Sequence, residues 1–170
     1  MILLALPGST YIYQGDELGL HEVADLPLEV LEDPMATRST TEKGRDGCRV
    51  PLPWSLEGPS YGFGARGGHL PQPDWFAAYA VSVQEADPDS TLNLYRRALA
   101  LRGHLFADTR LSWVESDPQV LHFERGGRIW CVSNFGSEPV ALPTGEVLLS
   151  SAPLDDGWLP GDTTVWLRAP

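Results

Sequence analysis

Between residues 90 and 105 apolar side chains recur at every third or fourth position; beyond residue 105 they recur at every second one. The first period predicts a helix. Leu92, Tyr95 and Leu99 form one stripe, Ala98, Leu101 and Leu105 lie beside it, Ser90 supplies the N-cap and Gly103 the stop. The second period predicts strands at residues 111–115, 120–125, 128–135, 146–150 and 163–167. Gly126-Gly127 between two of these runs signals a two-residue hairpin, because a type I′ turn needs positive φ at both central residues.

The first half is less periodic. Residues 2–6 form an apolar run cut by Pro7, which reads as the tail of a helix. Residues 10–14, Thr-Tyr-Ile-Tyr-Gln, are β-branched and aromatic between Pro7-Gly8 and Gly15, which predicts a short buried strand with Tyr11 and Tyr13 facing the core. Residues 26–32 suit a helical turn or two, and residues 76–85 a short helix ending before Asp87-Pro88. Residues 58–73 hold five glycines and three prolines, so an irregular segment is expected; long ordered loops of this kind are usually functional.

These elements divide the chain into an α/β part, residues 1–106, and an all-β part, residues 107–170, expected to fold as an antiparallel sheet domain by itself. Residues 1–105 are expected to be poorly ordered alone. One strand followed by a helix is the repeating unit of a (β/α)8 barrel, whose sites are built from the loops after its strands. Only one such unit is present.

Composition narrows the partners. The chain has 170 residues, 42% hydrophobic and 21% charged, which suits a globular protein. Its net charge of −11 would repel a phosphate backbone, so no nucleic acid is expected. No stretch approaches the roughly 20 apolar residues of a membrane span, and the start lacks the basic region and cleavage site of a signal peptide. Cys48 and Cys131 stand far apart without metal-ligand spacing. They read as reduced thiols of a cytoplasmic protein, with a disulfide or a metal pair as alternatives.

The densest chemistry lies at residues 44–54, GRDGCRVPLPW. Arginine offers five fixed N–H donors, which suits carboxylates and polyhydroxylated ligands alike. A solvated charged turn is the competing explanation. Asp16 and Glu17 are adjacent, so on leaving a strand they point apart and cannot flank one bond together. Asp155-Asp156-Gly157 has too few carboxylates for a calcium loop, and the four histidines pair with no nucleophile.

The stretch ALPGSTYIYQGDELG at residues 5–19 resembles the eighth-strand motif of glycoside hydrolase family 13, the α-amylase superfamily. GRDGCRVPLPW is similar to the signature Arg-Asp-x-x-Arg-x-Pro-x-x-Trp of its α-glucosidases and oligo-1,6-glucosidases. LNLYRRALALR at residues 92–102 looks like the final barrel helix, and Val132-Ser133-Asn134-Phe135 like a strand of the C-terminal β-sandwich. The Leu-Pro-Leu region at residues 26–28 and the Arg-rich, Lys-poor composition look most like actinobacterial members.

The resemblance implies the last β/α unit of a (β/α)8 barrel followed by a Greek-key β-sandwich. It implies retaining hydrolysis of terminal α-linked glucose from oligosaccharides, without metal or cofactor. Arg45 would contact the bound glucose, and Asp46, Arg49 and Glu17 would support it. Trp54 would anchor the loop more readily than stack on sugar. A retaining glycosidase needs two carboxyls about 5 Å apart, and by the resemblance they lie upstream of Met1. The chain alone is therefore expected to be inert. Two other readings stand beside this one: a carbohydrate-binding β-module, and a split enzyme whose partner is the missing N-terminal barrel fragment. Linkage preference would be decided by upstream residues.

Overall fold

The computed structural model describes residues 1–39 and 44–170. Among them, alternating side chains form seven strands: β1 (Leu111–Trp113), β2 (Val120–Arg125), β3 (Ile129–Asn134), β4 (Val140–Ala141), β5 (Glu146–Ser150), β6 (Trp158–Leu159) and β7 (Thr163–Arg168). Five of these make one antiparallel sheet in the order β1-β2-β3-β7-β5, and β4 pairs with β6. Gly126 and Gly127 have φ of 60° and 72°, as a type I′ turn requires. Pairing resumes at Arg125 and Ile129, so the connection is three residues rather than the two expected. The β4 and β6 strands, two residues each, escaped the periodicity because so short a run contains no period.

Among the described residues four α-helices accompany the strands: α1 (Ile2–Ala5), α2 (Pro34–Arg38), α3 (Val81–Ala86) and α4 (Thr91–Leu105). Packing divides the chain into two compact units, Met1–Tyr11 with Leu94–Pro170, and Ile12–Asn93. That division differs from the expected one at residues 106/107.

In the first unit the period of two gives the large sheet two apolar faces. Phe123, Cys131, Trp166 and Leu149 meet along one register row and pack with Leu4 and Ala5 of α1, Ala98 of α4, and Phe106. Phe106 meets Trp166 edge-on, with ring centroids 4.9 Å apart. On the opposite face Val132, Val165 and Leu167 pack with Leu159 of β6 and Val140 of β4. Helices cover one side and the short β4–β6 ladder the other. One of the two apolar faces of residues 107–170 is thus covered by residues from outside that range.

Arg125 and Arg102 complete the helical side. Arg125 is 2% exposed and donates to the carbonyls of Ala5, Asp108 (2.7 Å) and Arg110 (3.2 Å). Arg102 donates to the carbonyls of Leu4, Leu6 (3.3 Å) and Gly8 (2.8 Å). Carbonyls at the end of a helix have no partner within it. These two guanidinium groups supply donors for α1.

The second unit is built from short 3-10 turns around Val23, Leu26, Val50, Leu70 and Phe76. Gln84, 7% exposed, ties it together: its amide donates to the Leu18 carbonyl (2.8 Å) and its Oε1 accepts from the Leu92 amide (2.9 Å). Ser90 caps α4 as expected, its Oγ accepting from Asn93 N (3.2 Å). The expected helix at residues 76–85 is instead a 3-10 segment, Asp74–Tyr79, and α3, broken at Ala80 where ψ is 140°.

Three further expectations fail. Residues 10–14 form no strand. A strand exists through its ladder, and no described strand pairs with this segment; Tyr11 is 90% exposed and Tyr13 53%, not core. Gly103 does not stop α4, which continues to Leu105. Leu99 is exposed rather than part of the buried stripe.

His122 lies on the β4–β6 side of the sheet, buried, edge-on to Trp130 at 5.3 Å. Its Nε2 has no partner among the described residues, and burial pulls its pKa below the ordinary value. A depressed imidazole is neutral in the folded state, whereas the unfolded chain takes up the proton below about pH 6.5. Stability is therefore expected to be level with respect to His122 above that pH and to fall as pH drops toward the lowered folded pKa. Urea midpoints at pH 7.5 and 5.5 check this: His122→Phe should reduce the difference between them, and an unchanged difference would exclude His122 as its source.

Candidate active-site loop

Helix α2 starts with Asp33-Pro34. Asp33 Oδ1 accepts from the Met35 amide (3.0 Å) and Pro34 sits at the first helical position, where no amide is needed. The carboxylate of Asp33 does more than cap. Its Oδ2 accepts from the Arg45 amide (3.2 Å), from Arg45 Nε (3.3 Å) and from Arg49 Nη1 (3.3 Å). Asp33 is 2% exposed. The Met35 amide holds its carboxyl below the usual range against the opposing effect of burial, with the Arg45 amide and guanidinium adding to the depression.

A second buried carboxylate faces the same segment. Asp46 Oδ2 accepts from the amides of Glu32 (2.7 Å) and Asp33 (2.8 Å), and its Oδ1 lies 3.5 Å from Arg49 Nη1. Arg49 therefore bridges two carboxylates with one nitrogen. Charges removed from water need such partners.

Glycine permits this approach. Gly44 has φ +78°, and a Cβ there would stand 2.6 Å from Asp33 Cβ; at Gly47 it would stand 2.6 Å from the Val23 carbonyl oxygen. Either side chain would push the turn away from its support.

The outcome is asymmetric. Asp46 is enclosed and Arg49 half-buried, but the Arg45 side chain is 74% exposed while fixed at Nε. Four of its five side-chain N–H donors are not taken by Asp33. The loop can present a directed cation to a polar ligand.

Glu17 does not join this cluster. Its Oε2 accepts from the Gly15 amide (2.9 Å), and Asp16 Oδ2 accepts from the Tyr13 amide (3.1 Å). Both belong to a 3-10 turn, Asp16–Leu18, so the argument from a strand end does not apply to them. A small cavity of about 100 Å3 lies among Gln14, Asp16, His21, Glu22, Cys48 and Phe76, and Arg45 is not among the residues around it. Trp54 is 51% exposed. Its backbone does the tying, its amide donating to the Tyr61 carbonyl (2.7 Å) and its carbonyl accepting from Ser82 N (3.1 Å). Among the described residues no group of His, Cys, Asp and Glu could hold a metal ion. Cys48 is an exposed free thiol and Cys131 a buried one whose pKa is pushed up to about 12, chiefly by burial. Asp155 and Asp156 are exposed in a turn.

Asp33 was not legible as a site residue. Asp-Pro marked a helix start, but nothing local tied it to an arginine 12 positions away.

Residues 1–108 match the family described as alpha amylase, catalytic domain. The chain belongs to the alpha-amylase family. A probable alpha-glucosidase of Rhizobium meliloti is 38% identical over 143 residues, covering 81% of this chain and 26% of the relative. A probable oligo-1,6-glucosidase 2 of Bacillus subtilis is 27% identical over 162 residues, covering 81% and 28%. Among solved structures, the alpha-glucosyl transfer enzyme XgtA superposes with a TM-score of 0.80 at 35% identity, over 99% of this chain and 34% of that one. The alpha-amylase family chain thus spans about a quarter of the length of these curated relatives.

Proposed function

We propose that this chain is the C-terminal part of a retaining α-glucosidase acting on terminal α-linked glucose of oligosaccharides. Residues 1–106 are the end of its (β/α)8 barrel and residues 107–170 its C-terminal β-sandwich domain. The observation that carries the reading is the Arg45 guanidinium, exposed yet fixed on buried Asp33 within a loop that matches the α-glucosidase signature. Arg45 donates to hydroxyls of the terminal glucose; Asp46 and Arg49 hold the loop, and Glu17 holds the turn after residue 14. The carboxylates that break the glycosidic bond come from barrel residues preceding this segment, so the 170 residues alone are inactive. An actinobacterial source and a cytoplasmic location belong to the same reading, supported by the scarcity of lysine and by two free thiols.

The test grafts residues 1–170 in place of the matching C-terminal segment of the Rhizobium relative and measures p-nitrophenyl α-glucoside hydrolysis. The chain alone should give no turnover and the graft should give turnover. Arg45→Ala in the graft should lower kcat/KM roughly 10- to 100-fold, the value of one or two charge-assisted hydrogen bonds. Wild-type kcat/KM in that variant would remove Arg45 from the sugar site.

A second reading, a sugar-binding β-module, draws on exposed Trp113 (67%) and Trp158 (51%) in the sheet domain. Retention of the chain on a soluble glucan, lost in Trp113→Ala and Trp158→Ala, would favour it.

A further inference from the structure

We infer that Asp33, which lies outside the signature loop, is a positioning residue for sugar binding: it orients the Arg45 guanidinium toward the terminal glucose. The inference rests on the role proposed for Arg45.

Three features support it. Asp33 is nearly inaccessible, so its carboxylate serves the protein interior and not a ligand. Its Oδ2 takes both the Arg45 amide and Arg45 Nε, which fixes the arginine at two points, one on the backbone and one on the side chain. The same oxygen takes Arg49 Nη1, so Asp33 draws both signature arginines to one place. An exposed arginine otherwise samples many rotamers and loses that freedom on binding. Anchoring Nε lowers that loss while leaving the outer donors to the ligand. Gly44 is part of the device, because any side chain there would collide with Asp33 itself.

Asparagine separates this function from helix capping. It caps helices about as well as aspartate, so Asp33→Asn keeps the bond from the Met35 amide while an NH2 donor replaces the Oδ2 acceptor that holds Arg45 and Arg49. In the graft described above, Asp33→Asn is expected to lower kcat/KM by about 10-fold or more, measured well below its own thermal midpoint. The loss should be clearly smaller when Arg45 is already alanine, because residues in direct contact are not additive.

An equal loss in the Arg45→Ala background would overturn the inference and leave the sugar role of Arg45 intact. Wild-type kcat/KM for Arg45→Ala alone would overturn both. If the graft does not fold, side-chain 15N spectra of the 170-residue chain decide the matter: the Arg45 Nε–H resonance should shift in Asp33→Asn, and an unshifted resonance overturns the inference.

Discussion

Residues 107–170 expressed by themselves are expected to melt without a cooperative transition, while the compact unit to which they belong unfolds with one. The sheet formed by these residues has two apolar faces. One is covered from within by Leu159 of β6 and Val140 of β4. The other, bearing Phe123, Ile129, Cys131, Leu149 and Trp166, is covered by Leu4, Ala5, Ala98 and Phe106. Burying one large apolar side chain is worth about 1.5–3 kcal/mol, so uncovering this face costs on the order of 5–10 kcal/mol, comparable to the whole stability of a small domain. About 60 residues is also close to the size at which a single core becomes marginal. Urea unfolding followed by circular dichroism checks it. A second protein joining residues 1–11 to residues 94–170 should recover cooperativity, because it restores the compact unit. A sharp transition for residues 107–170 alone, near the midpoint of the full chain, would show that the helical layer adds little.

Replacing Arg125 by methionine is expected to destabilise the chain by about 3 kcal/mol or more. Methionine fills much of the same space, so the loss reports donors rather than volume. Three carbonyls, those of Ala5, Asp108 and Arg110, would lose their guanidinium partner; that of Arg110 keeps a bond from the Gly126 amide, those of Ala5 and Asp108 do not. Each buried acceptor left unpaired costs about 1–3 kcal/mol. The contact of the guanidinium with the Phe106 ring, 5.3 Å to its centroid, would vanish too. Burial and the neighbouring Arg102 lower the Arg125 pKa, so the charge is held there at a cost that the carbonyls offset. Arg125→Lys should recover part of the loss, since lysine donates but lacks the planar fork that reaches three oxygens at once. The chemical denaturation midpoints of the three proteins give the comparison. Equal midpoints for Arg125→Met and the unaltered chain would mean that water satisfies those carbonyls.

Much of the architecture was legible because it is local. Ser90 before an apolar helical stripe marked the start of α4, and its hydroxyl does cap that helix. Gly126-Gly127 marked a turn with two positive φ values, and both are positive. Strands β2 and β5 appear at their expected residues because alternation over five or six positions has few other solutions. The signature at residues 44–54 was visible as a motif, and matching of residues 1–108 to the alpha-amylase catalytic domain agrees with the family that it resembled. Arg45 also stood out as a candidate.

Other features depend on partners far along the chain. The aromatic segment at residues 10–14 has every local property of a strand, yet β-structure needs a ladder and the described sheets do not extend to it. Leu99 fits the helical stripe by spacing, but whether it is buried depends on what packs against α4, and there it is exposed. The packing division at residues 11 and 94 was not legible, because a change of period from helix to strand is not a change of packing: α1 and α4 share a core with the sheet. At the site, the sequence by itself determined the loop chemistry, namely two arginines and an aspartate in a glycine-bounded turn. Tertiary structure alone decided which arginine is exposed and which carboxylate holds it. The bonds that Asp33 makes to Arg45 and Arg49 join residues 12 or more positions apart, and no short-range pattern encodes them.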